Sequence, residues 1–331
     1  MMETTQRSTR IENLRAIAIL TVVFGHSIIL YSNSWNLYLS ASQAPLFDFI
    51  KQIINYYQMP LYFAVSGYLF AYRAPSHGFL KFIQKKAKRL LIPFLAIGIC
   101  FMIPLKLLVA YPPYQGKSFF AAVLLLLKGV DTGHLWFLPT LTCIFLVAYV
   151  MVMLFGNHLN MWIITTILGF LSNQFYYVVP TLFPAVQYIR WTLEFFWSFS
   201  FGAVLYHIMT SPFFLQSRVK LLACGSVTAA VLIILKHVIC LPIPSIAISV
   251  LLVLILFLAA SAKRSNFMHS ISENSFGIYL IHSPLIYITF TYCLNANPLI
   301  VVSINFFLFG GLAYLISYTI GKSKIKIIIG G

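Results

Sequence analysis

The chain has very few acidic residues, and this shortage limits its possible functions. Asp and Glu together number only six in 331 residues, at positions 3, 12, 48, 131, 194 and 273. No two of these acids are spaced for a shared metal ion, and no Gly-rich phosphate loop is present. A proton-coupled carrier usually needs acids inside its spans, and Glu194 is the one plausible example. We therefore expect no metal site, and ion-coupled transport has little support.

Charge in general is scarce, and so is cysteine. Charged residues make up 8% of the chain and hydrophobic residues 60%, whereas a soluble domain is about 25% charged. Lipid is therefore predicted to surround most of the chain. The five cysteines have no metal-type or disulfide-type spacing, so we interpret them as small buried hydrophobic residues. The fold expected is all-α, a polytopic transmembrane protein with a single integral-membrane domain over residues 1–331.

Ten apolar runs are long enough to cross a bilayer, since each crossing takes roughly 20 residues. They are residues 14–32, 53–72, 90–110, 134–155, 160–180, 191–210, 219–239, 244–262, 272–292 and 299–320. The segment 118–130 is apolar but short, and we interpret it as an interfacial or re-entrant helix.

The basic residues give an orientation to these runs. The formal net charge is +16, and most of the 22 Lys and Arg lie in segments 7–15, 73–89, 218–220, 263–264 and 322–326. Cytoplasmic loops are enriched in Lys and Arg, so the distribution predicts about ten spans with both termini in the cytoplasm. The same placement favours contact with membrane lipids and argues against nucleic acid as the partner.

Ionisable residues inside the apolar runs are candidates for function, because their burial in a membrane is costly. Arg15 opens the first run, and His26 follows it by about 16 Å of helix. His282 lies near the middle of the ninth run. A histidine is suited to general-base catalysis because its ordinary pKa is near neutrality. The alternative is that each histidine only hydrogen-bonds a neighbouring helix.

A dense basic patch follows the second run. It contains Lys85, Lys86, Lys88 and Arg89 within FLKFIQKKAKRLLIPFL. One interpretation is a topology signal or a surface for lipid headgroups. The other is a binding site for a phosphate-rich cytosolic ligand.

Other candidates for the acceptor side or for structural roles are spread along the chain. Ser66 and Gly67 form a small-residue step that lets a helix or a ligand approach closely. His134 and Trp136 are expected near the outer surface, where an aromatic with a polar partner is common. Glu194 follows Arg190 by four residues, so the two charges can neutralise each other on one helix face.

Five segments together resemble the membrane acyltransferase-3 family, and within it the fucose 4-O-acetylase-like and O-antigen O-acetyltransferase branch. They are Arg15 with His26, MPLYFAVSGYLF, the basic loop running into RLLIPFL, HLWFLPTL and SFGIYLIHSPL. In this order they extend from the first run to the ninth. The resemblance does not identify the substrate.

The resemblance implies an enzyme of the bacterial cytoplasmic (inner) membrane with no bound cofactor. Such an enzyme moves an acyl group, commonly acetyl from cytosolic acetyl-CoA, to a hydroxyl of a glycan or lipid-linked glycan. The family's arginine-to-histidine pattern falls on Arg15 and His26, and its Arg-x-x-Arg pattern falls best on Lys86 and Arg89. His26 would act as the base or as a transient acyl carrier. Two other interpretations stay open: a glycolipid or polysaccharide transporter or flippase, and a non-catalytic membrane partner.

Overall fold

A computed structural model describes residues 2–32, 44–73, 75, 78–175, 186–209 and 211–331. Within these residues the chain forms helices and no strands, as the composition predicts. Eleven helices in the described parts position the site: α1 Met2–Ser27, α2 Pro45–Tyr72, α3 Phe79–Leu108, α4 Phe119–Leu127, α5 Gly133–Phe155, α6 Leu159–Phe175, α7 Val186–Ile208, α8 Pro212–His237, α9 Ser245–Ala259, α10 Asn266–Tyr292 and α11 Pro298–Gly321.

The helix boundaries have local causes in the sequence. Prolines occupy the first turn of α2, α8 and α11, where their fixed φ suits the start of a helix. Ser118 caps α4 by accepting a hydrogen bond from the Ala121 amide at 3.2 Å. Gly156 ends α5 with a φ of 78°, a conformation that favours glycine.

Each of the ten predicted apolar runs falls on one of these helices, although residues 176–180 and 210 lie outside the described parts. Among the described residues, four helices are long and apolar enough by themselves to cross a membrane: α3, residues Gln216–His237 of α8, α5 and α11. The polar side chains of the site described below lie on α1, α2, α3, α5 and α10, and in the turns that follow α2 and precede α5. The segment 118–130 contains only the nine-residue α4, about 13 Å long.

Close packing of α2 against α7 holds the centre of the protein. A Cβ atom added to Gly67 would lie 1.8 Å from the backbone oxygen of Phe199, and one added to Gly202 would lie 1.9 Å from that of Ala64. The helices can approach this closely because neither position has a side chain. Of the two predicted roles for Gly67, the structure therefore shows helix packing.

The cysteines correct one expectation from the sequence. All five are free thiols, but Cys100, Cys224 and Cys240 are exposed on the surface of the protein rather than buried. Residues Gln216–His237, which include Cys224, are little covered by the rest of the chain. A helix face that meets lipid needs no burial against protein, so a small apolar side chain is tolerated there.

Replacing Gly67 with alanine is predicted to destabilise the protein by about 1–3 kcal/mol, because the new methyl group would overlap the Phe199 carbonyl. The measurement is the thermal midpoint of the purified protein in detergent. Gly311→Ala is the control, since a Cβ there meets nothing within 4 Å. Equal midpoints for the two variants would contradict this account of the α2–α7 contact.

Candidate active site

Two histidines from different helices form a hydrogen-bonded pair in the protein interior. Helix α1 packs along α10, and this contact brings His26 to within 2.8 Å of His282, measured from Nδ1 to Nε2. The two rings are stacked, with centroids 5.0 Å apart. His282 is fully buried and His26 is 8% exposed.

The hydrogen bonds assign the tautomers of both rings. His282 Nδ1 lies 2.8 Å from the backbone oxygen of Ile278, which can only accept, so Nδ1 has the hydrogen and donates it. In a neutral ring His282 Nε2 is then an acceptor, and His26 Nδ1 donates to it. The lone pair of the neutral His26 ring is therefore on Nε2. His282 fixes both the orientation and the tautomer of His26.

A third histidine approaches the pair from the start of α5. The rings of His134 and His282 are 5.7 Å apart, and His134 Nε2 donates to the backbone oxygen of Leu280 at 3.1 Å. The Tyr279 hydroxyl donates to the backbone oxygen of His134. His134 Nδ1 is buried and has no hydrogen-bond partner among the described residues. This nitrogen is a buried acceptor whose capacity no described residue uses.

His26 and His134 both line a cavity of about 350 Å³, which we call the histidine cavity. Across this cavity, Lys106 and Asp131 form an ion pair of 3.0 Å. The rings of Trp191 and Tyr287 contribute apolar walls. Gly133 has a φ of +52°, and a Cβ on it would lie 3.0 Å from the Tyr287 hydroxyl, so the turn that presents His134 favours glycine.

A second cavity, of about 210 Å³, lies beside the other end of α1 and has a different character. We call it the cationic cavity, because its lining includes Arg15, Arg73, Lys86 and Arg89. None of the described residues that line it is an Asp or Glu. Four cations around one space, with no acid among the described lining residues, favour a polyanion as the ligand.

Individual contacts hold these cations in place. Arg15 Nη2 donates to Ser275 Oγ at 3.0 Å, which ties the guanidinium of α1 to α10. Lys86 Nζ lies over the ring of Phe145, 3.5 Å from its centroid. The Arg15 and Lys86 side chains are thus directed by neighbouring helices rather than extended into solvent.

The two cavities follow one another along α1 and α10. Arg15 and Ser275 line the cationic cavity, whereas His26 and Ser283 line the histidine cavity. At its inner end the cationic cavity reaches three aromatic rings in mutual contact, those of Tyr62, Phe137 and Tyr279. We call these three rings the aromatic partition. Tyr279 contacts both sides, since its hydroxyl bonds to His134.

The remaining candidates from the sequence fall outside the centre of the site. Lys85 and Lys88 are exposed and are absent from the lining of the cationic cavity. Ser66 does line that cavity, but its hydroxyl donates to the Tyr62 backbone oxygen at 2.9 Å. Trp136 lines neither cavity and packs on Trp191, with ring centroids 5.1 Å apart.

Glu194 lines neither cavity. The Arg190 guanidinium donates to Gln187 Oε1 at 3.1 Å. Mutual neutralisation of Arg190 and Glu194 stays a prediction.

Several lining residues were not identified from the sequence. Ser275 and Tyr279 precede His282 by seven and three residues in the SFGIYLIHSPL segment, and helical spacing places all three on one face of α10. That spacing could have predicted Ser275 and Tyr279 as residues on the same helix face as His282. Lys106 and Asp131 are 25 residues apart, and no local pattern connects them.

Comparison with known proteins identifies the family of the chain. A family model described as an acyltransferase domain, of the acyltransferase-3 type, matches residues 8–322. The nodulation protein NolL of Sinorhizobium fredii is 29% identical over 194 residues. This alignment covers 57% of the chain and 47% of NolL, so the chain matches about half the length of this relative. No solved structure matches the chain. With the family model covering nearly the whole sequence, the chain belongs to the acyltransferase-3 family.

Proposed function

We propose that the protein is a membrane-embedded O-acyltransferase that moves an acetyl group from cytosolic acetyl-CoA to a sugar hydroxyl. The acceptor is a cell-surface polysaccharide or its lipid-linked precursor. The observation that supports this most is a buried histidine pair next to two cavities of different chemistry. One cavity is lined by four cations, and the other by one lysine and one aspartate. Membership of the acyltransferase-3 family supports acyl transfer as the reaction.

The proposed orientation follows from the charges. Ten of the helices cross the bacterial cytoplasmic membrane, α4 does not, and both termini are cytoplasmic. Arg15, Arg73, Lys86 and Arg89 then face the cytosol, where acetyl-CoA is found, and the histidine cavity opens toward the opposite face. The positive-inside distribution of Lys and Arg supports this arrangement.

The cationic cavity suits the donor, because coenzyme A is a polyanion with three phosphate groups. Arginines can bind phosphate oxygens in pairs, and Lys86 supplies a point charge. The pantetheine arm would extend from these cations toward the aromatic partition. Tyr62 lines this cavity, and its buried hydroxyl has no hydrogen-bond partner among the described residues. In this proposal it would donate to the thioester carbonyl oxygen.

The chemical step uses the lone pair on His26 Nε2. In the base mechanism this nitrogen takes the proton of the acceptor hydroxyl, and the oxygen attacks the acetyl carbonyl carbon. The C–S bond breaks, and the leaving thiolate takes the proton back from His26. In the carrier mechanism Nε2 first attacks the acetyl carbonyl carbon, and the C–S bond breaks to release the coenzyme A thiolate. The sugar oxygen then attacks the acetyl carbon on the ring, the C–N bond breaks, and the hydroxyl proton passes to the thiolate. Both mechanisms need the tautomer that His282 imposes.

Replacing Lys86 and Arg89 together with glutamine is predicted to weaken acetyl-CoA binding by at least tenfold, because two of the four cations that line the donor cavity are lost. Equilibrium binding of labelled acetyl-CoA to purified protein measures this. The matched control is Lys85→Gln with Lys88→Gln, which removes the same charge from exposed positions outside the cavity. An equal loss of acetyl-CoA affinity in both double variants would contradict a specific role for Lys86 and Arg89 and leave only a non-specific role for the basic patch.

His26→Ala is predicted to reduce transfer of labelled acetyl to membrane glycan by at least a hundredfold, consistent with general-base contributions of about 10²–10⁴. Expression and acetyl-CoA binding should stay normal. The control is His158→Ala, because His158 is exposed and lines neither cavity. Near-wild-type transfer by the His26 variant would refute the catalytic role. An acetylated wild-type protein trapped without acceptor would select the carrier mechanism.

His282 is predicted to act as a positioning residue, so His282→Phe should lower kcat while the KM for acetyl-CoA stays within about twofold. The reason is that phenylalanine fills the space but cannot accept the hydrogen from His26 Nδ1. His282→Gln, whose carbonyl oxygen can accept, should recover part of the rate. Steady-state kinetics in membranes separate the two constants. Equal rates for the phenylalanine and glutamine variants would contradict the proposal that an acceptor at position 282 fixes the tautomer of His26.

A further inference from the structure

We propose that the histidine cavity is a subsite for a neutral sugar ring, bound through Lys106, Asp131, His134 and Trp191. This inference rests on the proposed function and extends it. These residues would select the acceptor, and the class of sugar they select is neutral. His26 would meet the reacting hydroxyl, and the other residues would bind the hydroxyls and the ring face that do not react.

The first observation is the environment of Lys106, which is only 2% exposed. Its Nζ lies 3.0 Å from Asp131 Oδ1 and 3.3 Å from the Tyr114 hydroxyl. It also lies over the rings of Tyr114 and Tyr287, 4.5 and 4.7 Å from their centroids. A lysine held this firmly by a carboxylate and aromatic rings is a fixed wall of the cavity rather than a mobile surface charge.

The second observation is that hydrogen-bonding capacity remains on this wall. The Asp131 side chain is 29% exposed, and a carboxylate can accept more bonds than the one from Lys106. His134 Nδ1 is a buried acceptor with no partner in the described parts of the chain, and His134 as a whole is only 5% exposed. The remaining acceptor capacity of the partly exposed Asp131 carboxylate matches a hydroxyl donor of a sugar ring.

The third observation is an aromatic face beside these acceptors. Trp191 lines the cavity and is braced by the rings of Trp136 and Tyr188, at 5.1 and 5.7 Å. The C–H face of a sugar ring is apolar and packs well on such a surface. Trp136, which does not line the cavity, is assigned the role of holding Trp191.

The charge balance selects a neutral sugar over an acidic one. Among the described residues that line this cavity, Lys106 is the cation and Asp131 is the anion, and the two are paired. The carboxylate of a uronic acid would meet no uncommitted cation there and would be repelled by Asp131. The cationic cavity has the opposite character, so the two substrates are sorted by charge.

The test is saturation-transfer NMR titration of the purified protein in nanodiscs. The probes are the methyl glycosides of glucose, galactose, mannose and fucose, with methyl glucuronide as the charged comparison. We expect wild type to bind at least one neutral glycoside more tightly than the glucuronide. Trp191→Leu should weaken that binding at least tenfold, and Trp191→Phe, which keeps an aromatic face, by less than threefold.

The ion pair is tested by Lys106→Gln with Asp131→Asn, which removes both charges and leaves neither one unpaired; at least tenfold weaker binding is expected. Glu194→Gln is the control for loss of a carboxylate outside the cavity, and its affinity should be unchanged. The Trp191 variants keep the test decisive if the double variant misfolds, because they leave the ion pair intact.

Three results would overturn the inference: no binding of any neutral glycoside, tighter binding of the glucuronide, or wild-type affinity in Trp191→Leu. The proposed function is judged by a separate assay. Sugar binding without transfer of label from acetyl-CoA would contradict the acyltransferase proposal and leave the subsite in place. Transfer of label together with a sugar affinity that Trp191→Leu leaves unchanged would contradict the subsite and leave the acyltransferase proposal in place.

Discussion

The hydrogen bond between His26 and His282 is the interaction on which the site depends. It joins α1 to α10 in the protein interior, where both side chains are almost fully buried. Because His282 donates its other hydrogen to the Ile278 carbonyl, the tautomer of His26 follows from the backbone of α10 rather than from solvent. The orientation of one imidazole is thereby linked to the helix packing of the protein.

The polar residues divide along this helix pair according to charge. Toward one end of α1, cations from α1, from α3 and from the turn after α2 line a cavity without acids among its described lining residues. Toward the other end, the ion pair of Lys106 and Asp131 lines a cavity with aromatic walls. Between them the aromatic partition separates the cationic cavity from the histidine cavity. In the account proposed above, the acetyl group is the part of the donor that crosses this partition to reach His26.

Much of this arrangement could be predicted from the sequence, because two signals are strong in a membrane. Apolar runs of about 20 residues predicted the positions of the helices, and ionisable residues within them directed attention to Arg15, His26 and His282. The positions of these residues along the helices followed from helical rise alone. Membership of the acyltransferase-3 family is confirmed, while the number of crossings and their orientation stay predictions.

The rest could not be predicted, because it depends on which helix faces meet. Lys106 and Asp131 are separated by α4 and its flanking turns, and only the packed structure pairs them. The basic patch contained four candidates, and the direction of each side chain decided that Lys86 and Arg89 line the cavity while Lys85 and Lys88 do not. The exposed cysteines differ from expectation for a related reason, since no other part of the described chain covers them.

In the proposed mechanism, donor and acceptor enter from opposite faces of the membrane and meet at His26. The most direct measurement uses sealed inside-out membrane vesicles with the glycan enclosed and labelled acetyl-CoA supplied only outside. We expect label to accumulate on the enclosed glycan without entry of coenzyme A into the vesicles. Label that reaches the glycan only when acetyl-CoA is enclosed on the same side would contradict it.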